Sequence, residues 1–272
     1  MFNNKIGLKI EKKLYHIGYI LFLLYLCTIN DEEKLLIMEF HCKQFSLNHS
    51  HSSMKVGTDS ILLASLINKY LGSNETISTI LDVGTGCGIL TLCMAQIFKK
   101  ADITALDIDS NSVEESQRNF INSKWRERLD AIHISFEDFS LNSDKKFDLI
   151  ISNPPYFSNS LLSPNITKSN ARHNNSLSLK DFAESSLALS KQDTKIALIL
   201  PYNETKILED IFSKHLSIEY QCNIFAKEGK EIKRIVSIFS NSKTKKEENF
   251  YIRNHQNEYT EEYKQITKSF LL

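Results

Sequence analysis

The chain has 272 residues, 42% hydrophobic and 24% charged, which is the composition of one large α/β domain or two small ones. Its 33 basic and 33 acidic residues balance, which excludes a globally basic nucleic-acid binder and leaves any basic surface local. Its five cysteines, Cys27, Cys42, Cys87, Cys93 and Cys222, are odd in number and form no Cys-x-x-Cys pair. They argue against a disulfide framework or a zinc site and fit reduced cytosolic thiols.

Residues 1–37 differ from the rest. Lys5, Lys9, Lys12 and Lys13 precede an apolar run from Ile17 to Ile29. That run is too short for an ordinary transmembrane helix, and no small-residue cleavage site follows it. Three readings fit: a secretion or membrane signal, an amphiphilic helix of the fold, or sequence upstream of a start at Met38. We treat 1–37 as an extension and 38–272 as the principal domain, cytoplasmic and without stable membrane association.

From Met38 the pattern becomes regular. Phe40 to Leu47 alternates and reads as a strand or hairpin arm. His49 and His51 follow in a polar turn, and a pair of histidines two apart is weak evidence for a metal. Lys55-Val56-Gly57-Thr58-Asp59 leads into an apolar helix from Ser60 to Leu66, with Thr58 or Asp59 as its N-cap. After a break at Gly72-Ser73-Asn74, Thr79 to Val83 is a strand. The glycine turn Gly84-Thr85-Gly86-Cys87-Gly88 and a helix from Ile89 to Phe98 complete a first βα unit. Glycines let backbone approach a ligand without Cβ clashes. The turn is one residue short of the dinucleotide fingerprint. Asp82, ahead of Gly84, would repel phosphate and suit a cation such as the amino group of a methionine moiety.

The next strand, Asp102 to Leu106, ends in Asp107-Ile108-Asp109. An acid there is placed to accept two ribose hydroxyls, and Asp107 is the choice. Asp109 fits that role or a cap for the helix Asn111 to Asn122 equally well. Leu129 to Ser135 is a third strand, with Phe136-Glu137-Asp138 at its carboxyl end, where an adenine would lie. A fourth, Phe147 to Ser152, runs into Asn153-Pro154-Pro155-Tyr156. Two prolines cannot continue a strand, so the chain leaves the sheet in a stiff turn that offers an amide acceptor, free carbonyls and a flat ring. Such a set suits a planar group bearing an NH2; a bare proline turn with a capping Asn is the alternative.

Residues 157–178 are polar, contain no acid and carry Lys168, Arg172 and His173. They read as a substrate-binding lid or a disordered insertion. A helix from Leu179 to about Leu189, a strand Lys195 to Leu200 ended by Pro201, a helix Glu204 to His215 and strands Ser217 to Phe225 and Lys233 to Ser240 continue the alternation. Between Lys227 and Lys246 seven basic residues, Lys233 and Arg234 among them, stand against two acids. This is a phosphate-contacting run or a solvated face. The tail from Glu247 is mixed in charge and has no assigned structure.

The combination of Leu81–Gly88, Asp107 and Asn153–Tyr156 resembles the Rossmann-like S-adenosylmethionine-dependent amino-group methyltransferases, over about residues 40–240. The resemblance implies an α/β class I methyltransferase fold: a seven-stranded, mostly parallel sheet with an antiparallel final hairpin strand. Phe40–Phe45, Met54–Asp59 and Ala171-Arg172-His173 are more narrowly similar to the bacterial tRNA1(Val) adenine-N6 methyltransferases, which modify the adenine next to the anticodon. That implies S-adenosylmethionine as cofactor, a tRNA anticodon loop as partner and no metal. It implies Asn153, Pro154, Pro155 and Tyr156 as catalytic residues. Lys55, Thr58, Asp82, Gly84, Gly86, Gly88, Asp107, Ile108, Glu137, Asp138 and Asn153 would meet the cofactor. Tyr156, Lys168, Arg172, His173, Lys233 and Arg234 would meet the RNA. Methylation of a release-factor glutamine, methylation of rRNA or DNA adenine, and a cofactor-binding module without catalysis are the competing functions. The first lacks room for its usual helical N-terminal domain, a DNA enzyme would need a target-recognition domain not found here, and an intact Asn-Pro-Pro-Tyr argues against the last.

Overall fold

The apolar runs become strands of one large sheet in the computed structural model, which describes residues 39–52, 55–72, 74–154 and 177–272. The chain divides into two units, residues 1–39 and 40–272. The extension over 1–37, Met54, Pro155, Tyr156 and the polar segment bearing Lys168, Arg172 and His173 lie outside the described residues.

A hairpin of β1 (Glu39–His41) and β2 (Ser46–Asn48) forms a separate two-stranded sheet. There follow α1 (Thr58–Leu71), β3 (Thr79–Val83), α2 (Ile89–Ile97), β4 (Asp102–Asp107), α3 (Ser110–Ile121), β5 (Leu129–His133), α4 (Phe136–Asn142) and β6 (Phe147–Ser152). The second half has α5 (Leu179–Ala188), β7 (Ser190–Pro201), α6 (Tyr202–Phe212), β8 (Ser217–Phe225), β9 (Ile232–Ser240), β10 (Lys246–Tyr251) and α7 (Glu261–Thr267).

The large sheet has the order β10-β8-β9-β7-β6-β3-β4-β5, and β9 alone runs against its neighbours. Its central strands are apolar on both sides because helices cover both faces. Ile80 joins a core with Ile61, Leu92, Val113 and Phe120, whereas Leu81 and Val83 join Phe136, Phe182 and Leu208 on the opposite face. From β3 the chain winds outward through β4 to β5, then returns to lay β6 on the other side of β3. That reversal opens a crevice at the carboxyl ends of β3 and β6, the place where open α/β sheets bind ligands.

The expected strands are present, and an eighth extends the seven. β10 pairs parallel with β8, with Glu247 opposite Gln221 and Asn249 opposite Asn223. Its sequence is polar, and a cross-strand ladder holds it: Asn223 Nδ2 donates to Glu247 Oε1 at 2.9 Å and to Asn249 Oδ1 at 3.0 Å. Among the described residues no helix is long and apolar enough to cross a membrane.

Candidate active site

Asn153 leaves the sheet at the carboxyl end of β6. Ser152 is in register with Val83, and its hydroxyl donates to the Val83 carbonyl at 2.7 Å. Asn153 is therefore the neighbour of Gly84, and the Asn-Pro turn and glycine loop share the crevice. The Asn153 amide has a defined orientation. Its Nδ2 donates to Ser60 Oγ, 2.9 Å away in the first turn of α1. With the nitrogen so engaged, the Oδ1 acceptor turns to the other side.

The glycine loop is strung between β3 and β4. The amides of Gly84 and Thr85 donate to the Leu106 carbonyl at 2.9 and 3.0 Å, and Gly86 N donates to Asp107 Oδ2 at 2.8 Å. Gly84 and Gly86 take φ of +74° and +56°, and a Cβ built on either would meet no atom within 4 Å. Their backbone thus borders open space. Asp107 also accepts from Asp109 N at 2.9 Å. A carboxylate offers about four acceptor positions, so roughly two remain for a ligand. Ile108, beside it, is 51% exposed and supplies an apolar wall.

Comparison with known proteins decides what this crevice belongs to. The Methyltransferase small domain family matches residues 45–191. A tRNA1(Val) (adenine(37)-N6)-methyltransferase of Bacteroides thetaiotaomicron is 35% identical over 238 residues, covering 86% of this chain and 97% of the relative. The chain belongs to the tRNA1(Val) (adenine(37)-N6)-methyltransferase family. The namesake of Pedobacter heparinus is 32% identical over 235 residues, with 86% and 97% covered. Among solved structures, a predicted O-methyltransferase from Agrobacterium tumefaciens superposes with a TM-score of 0.60 at 16% identity, over 78% of this chain and 96% of that one. That likeness shows the class I methyltransferase fold. Members of the family use S-adenosylmethionine, and the crevice fits it: bare glycine backbone, spare acceptor positions on Asp107 and the exposed face of Ile108.

Several other candidate residues of this family member have partners within the protein. Asp82 is 1% exposed, and its Oδ2 accepts the hydroxyls of Thr85 at 2.9 Å and Thr91 at 2.6 Å. It supports the glycine loop from beneath. Gly88 is buried, and a Cβ there would lie 2.5 Å from the Phe120 ring. It is a packing glycine. Lys55 Nζ donates to the carbonyls of His49 and Ser50 at 2.6 and 2.7 Å, so its charge pins its own loop. Thr58 is exposed at the start of α1. The cap of α1 is Gly57, without any side-chain bond, in place of Thr58 or Asp59. Asp59 is drawn away because its Oδ2 lies 2.5 Å from Arg234 Nε at the start of β9. Burial pushes the Asp59 carboxyl up, and Arg234 only partly offsets this. Arg234 thus ties the start of β9 to α1, and Lys233 beside it is exposed.

Asp109 caps α3, accepting from the amides of Asn111 and Ser112. Glu137 and Asp138 sit in the first turn of α4, at the carboxyl end of β5. Burial raises the Glu137 carboxyl, with the charges of Asp181 and Asp138 adding to the rise. Asp138 Oδ2 accepts the Ser135 hydroxyl at 2.7 Å in the capping turn.

Three residues that tie these segments together carried no signal in the sequence. Ser60 is one. Asn119 of α3 ties β2 to the glycine loop, donating to the carbonyls of Asn48 and Cys87 at 2.8 Å each. Glu115, 1% exposed, accepts from His51 N at 2.9 Å and Ser52 N at 2.8 Å. Burial alone would raise its carboxyl, but these amides and the hydroxyls of Ser52 and Ser50 bring it below the usual value.

Proposed function

We propose that this enzyme transfers a methyl group from S-adenosylmethionine to N6 of an adenine in tRNA, namely adenine 37 of tRNA1(Val), the substrate named in its relatives. The observation that carries the reading is the Asn153 amide, nitrogen engaged by Ser60 and acceptor turned away from it, beside an open glycine loop.

The exocyclic nitrogen of adenine is a poor nucleophile because its lone pair is conjugated into the ring. Asn153 Oδ1 and the Pro154 carbonyl would accept its two N–H groups. This favours a pyramidal nitrogen and stabilises the positive charge that grows on it during transfer. Tyr156 would stack on the base, which an enzyme acting on its edge must extrude from the loop. Asp107 would accept the ribose hydroxyls of the cofactor. Gly84 and Gly86 would lie along its methionine end, and Ile108, Glu137 and Asp138 would flank its adenine. When bound, the cofactor would supply the electrophilic methyl group and leave as a neutral thioether, with one N6 proton lost to water. The side chains hold the amine in line, and orientation contributes much of the rate.

Two variants separate these roles. In single-turnover methyl transfer to unmodified tRNA1(Val), Asn153→Ala is expected to lose about 100–1,000-fold in rate with a far smaller change in cofactor affinity, since its bond matters most once charge develops. Asp107→Ala is expected to weaken cofactor binding by about tenfold to a hundredfold in calorimetry. Absence of transfer by the wild-type enzyme, or a near wild-type rate for Asn153→Ala, overturns the reading.

A further inference from the structure

We infer that Asn119 is a positioning residue for the cofactor: one side-chain amide holds both the glycine turn and the end of the N-terminal hairpin, and so couples cofactor binding to the docking of that hairpin. The inference rests on the reading of the glycine turn as the seat of the cofactor. Helix α3 buries an unusual face. Ser112, Glu115, Ser116 and Asn119 are buried beside Val113 and Phe120, at the spacing where an amphipathic helix ordinarily places apolar residues. Buried polar groups are costly unless bonded, and all four are bonded. Ser112 and Ser116 stay local, donating to Asp109 Oδ2 at 2.8 Å and to the Val113 carbonyl at 2.9 Å. Glu115 and Asn119 reach other segments. Asn119 Oδ1 accepts from Asn48 N at 2.9 Å, and its Nδ2 donates to the carbonyls of Asn48 and Cys87 at 2.8 Å each. Every partner is a backbone group whose role as donor or acceptor is fixed, so the amide fits only this way round, with both its hydrogens committed.

The Cys87 carbonyl is the point at which the turn needs holding. It lies between Gly86 and Gly88, at φ +56° and +85°, two residues whose backbone has little preference of its own. Cys87 is buried, so without Asn119 its carbonyl would lack a partner in a place water does not reach, and its peptide would rotate in search of one. Gly86, next to it, borders the open crevice and is bonded through its amide to Asp107. A rotation at Cys87 therefore shifts the backbone and the acid that face the cofactor. At the other end of the amide, Asn48 closes β2. The chain runs on from it through residues 49–57 to α1, whose first turn bonds Asn153. Asn119 itself sits on a packed helix, which positions its partners more tightly than a loop would.

Coupling between two sites acts equally in both directions. In hydrogen exchange followed by nuclear magnetic resonance, saturating S-adenosylmethionine is expected to slow the Asn48 amide of the wild-type protein about tenfold, the worth of one hydrogen bond, and more than it slows the amides of β10 at the far edge of the sheet. Equal slowing of both, or none, overturns the inference. Asn119→Asp separates the two ends of the link: it keeps an acceptor for Asn48 N and sets an oxygen against the Cys87 carbonyl. In this variant the cofactor should no longer slow the Asn48 amide, and calorimetry should show cofactor affinity about tenfold weaker. An added negative charge near a cationic ligand would by itself strengthen binding, so the sign of the change is informative. Affinity that is unchanged or tighter, or slowing of Asn48 that persists, would mean that Asn119 merely packs, and the inference would fail. Should Asn119→Asp not fold, the wild-type comparison of Asn48 with β10 decides alone. A wild-type protein that binds the cofactor and leaves tRNA unmethylated overturns only the functional reading; one that binds no S-adenosylmethionine overturns the inference as well.

Discussion

Asp82 has the most perturbed environment among the acids of the loop. Burial pushes its carboxyl up to about 6 from an ordinary 3.8; the Thr91 and Thr85 hydroxyls oppose the rise, and the Asp107 charge adds to it. An acid raised by folding holds its proton more tightly in the native state. Its contribution to stability is fully present below pH 3.8 and is lost as pH rises through 6. Asp82→Asn keeps an acceptor for the two hydroxyls and removes the ionisation. Relative to wild type it should gain about 2 kcal/mol of stability between pH 4 and pH 8. Urea unfolding of both proteins at the two pH values measures this, and a constant difference would show that the carboxyl is not raised. The position of Asp82 before the glycines was legible in the sequence. Its partner was not, because Thr91 reaches it from one turn inside the following helix.

At the scale of elements, the three loop glycines look alike in sequence and differ in structure. All have positive φ, but only Gly88 packs against another element, with its Cα facing Phe120 and Ser116 of α3. Gly88→Ala combines left-handed strain with a steric clash and should cost about 2–4 kcal/mol. Gly86→Ala carries the strain alone, about 1–2 kcal/mol, and should instead lower cofactor affinity because its Cβ enters the open crevice. Thermal unfolding and cofactor titration of both variants separate these effects; equal destabilisation would show that the outer face of the loop is not open. Caps divide the same way. Asp109 caps α3 through amides two and three residues on, a local pattern that sequence shows. Asp59 looks like a cap by the same rule, yet is claimed by Arg234 on a distant strand. β10 escaped notice because a polar edge strand held by amide ladders has no apolar alternation to read.

At the scale of the molecule, the basic run splits in two. β9 starts beside Pro201, the carboxyl end of β7, and ends at Ser240 on the opposite edge of the sheet. Lys227, Lys230 and Lys233 therefore stand on the edge that bears Asn153. Lys243, Lys245 and Lys246 lie one strand length away, roughly 30 Å at 3.3 Å per residue. There Lys245 pairs with Glu247 at 3.1 Å and Lys246 lies over the Tyr70 ring. Replacing the first three lysines by alanine should weaken tRNA binding and reduce the slope of log affinity against log salt by about 2–3. Replacing the second three should leave that slope unchanged. Equal effects from both sets would mean that the RNA path does not follow the carboxyl edge.

Sequence alone was enough for seven strands of the large sheet, for the left-handed glycine turn and for the proline break after Asn153. These depend on short-range chemistry: branched apolar runs make buried strands, glycine permits positive φ, and proline ends a ladder. The strands Thr79–Val83 and Phe147–Ser152 have the same limits in sequence and structure for that reason. Tertiary structure alone decided which way Asn153 turns, that Asp82 and Gly88 face inward, that Arg234 is held in an ion pair and that the lysines occupy two edges. Each of these depends on a partner brought up by a distant segment. A side chain's choice among donors, acceptors and solvent is made only once the fold has set those segments side by side.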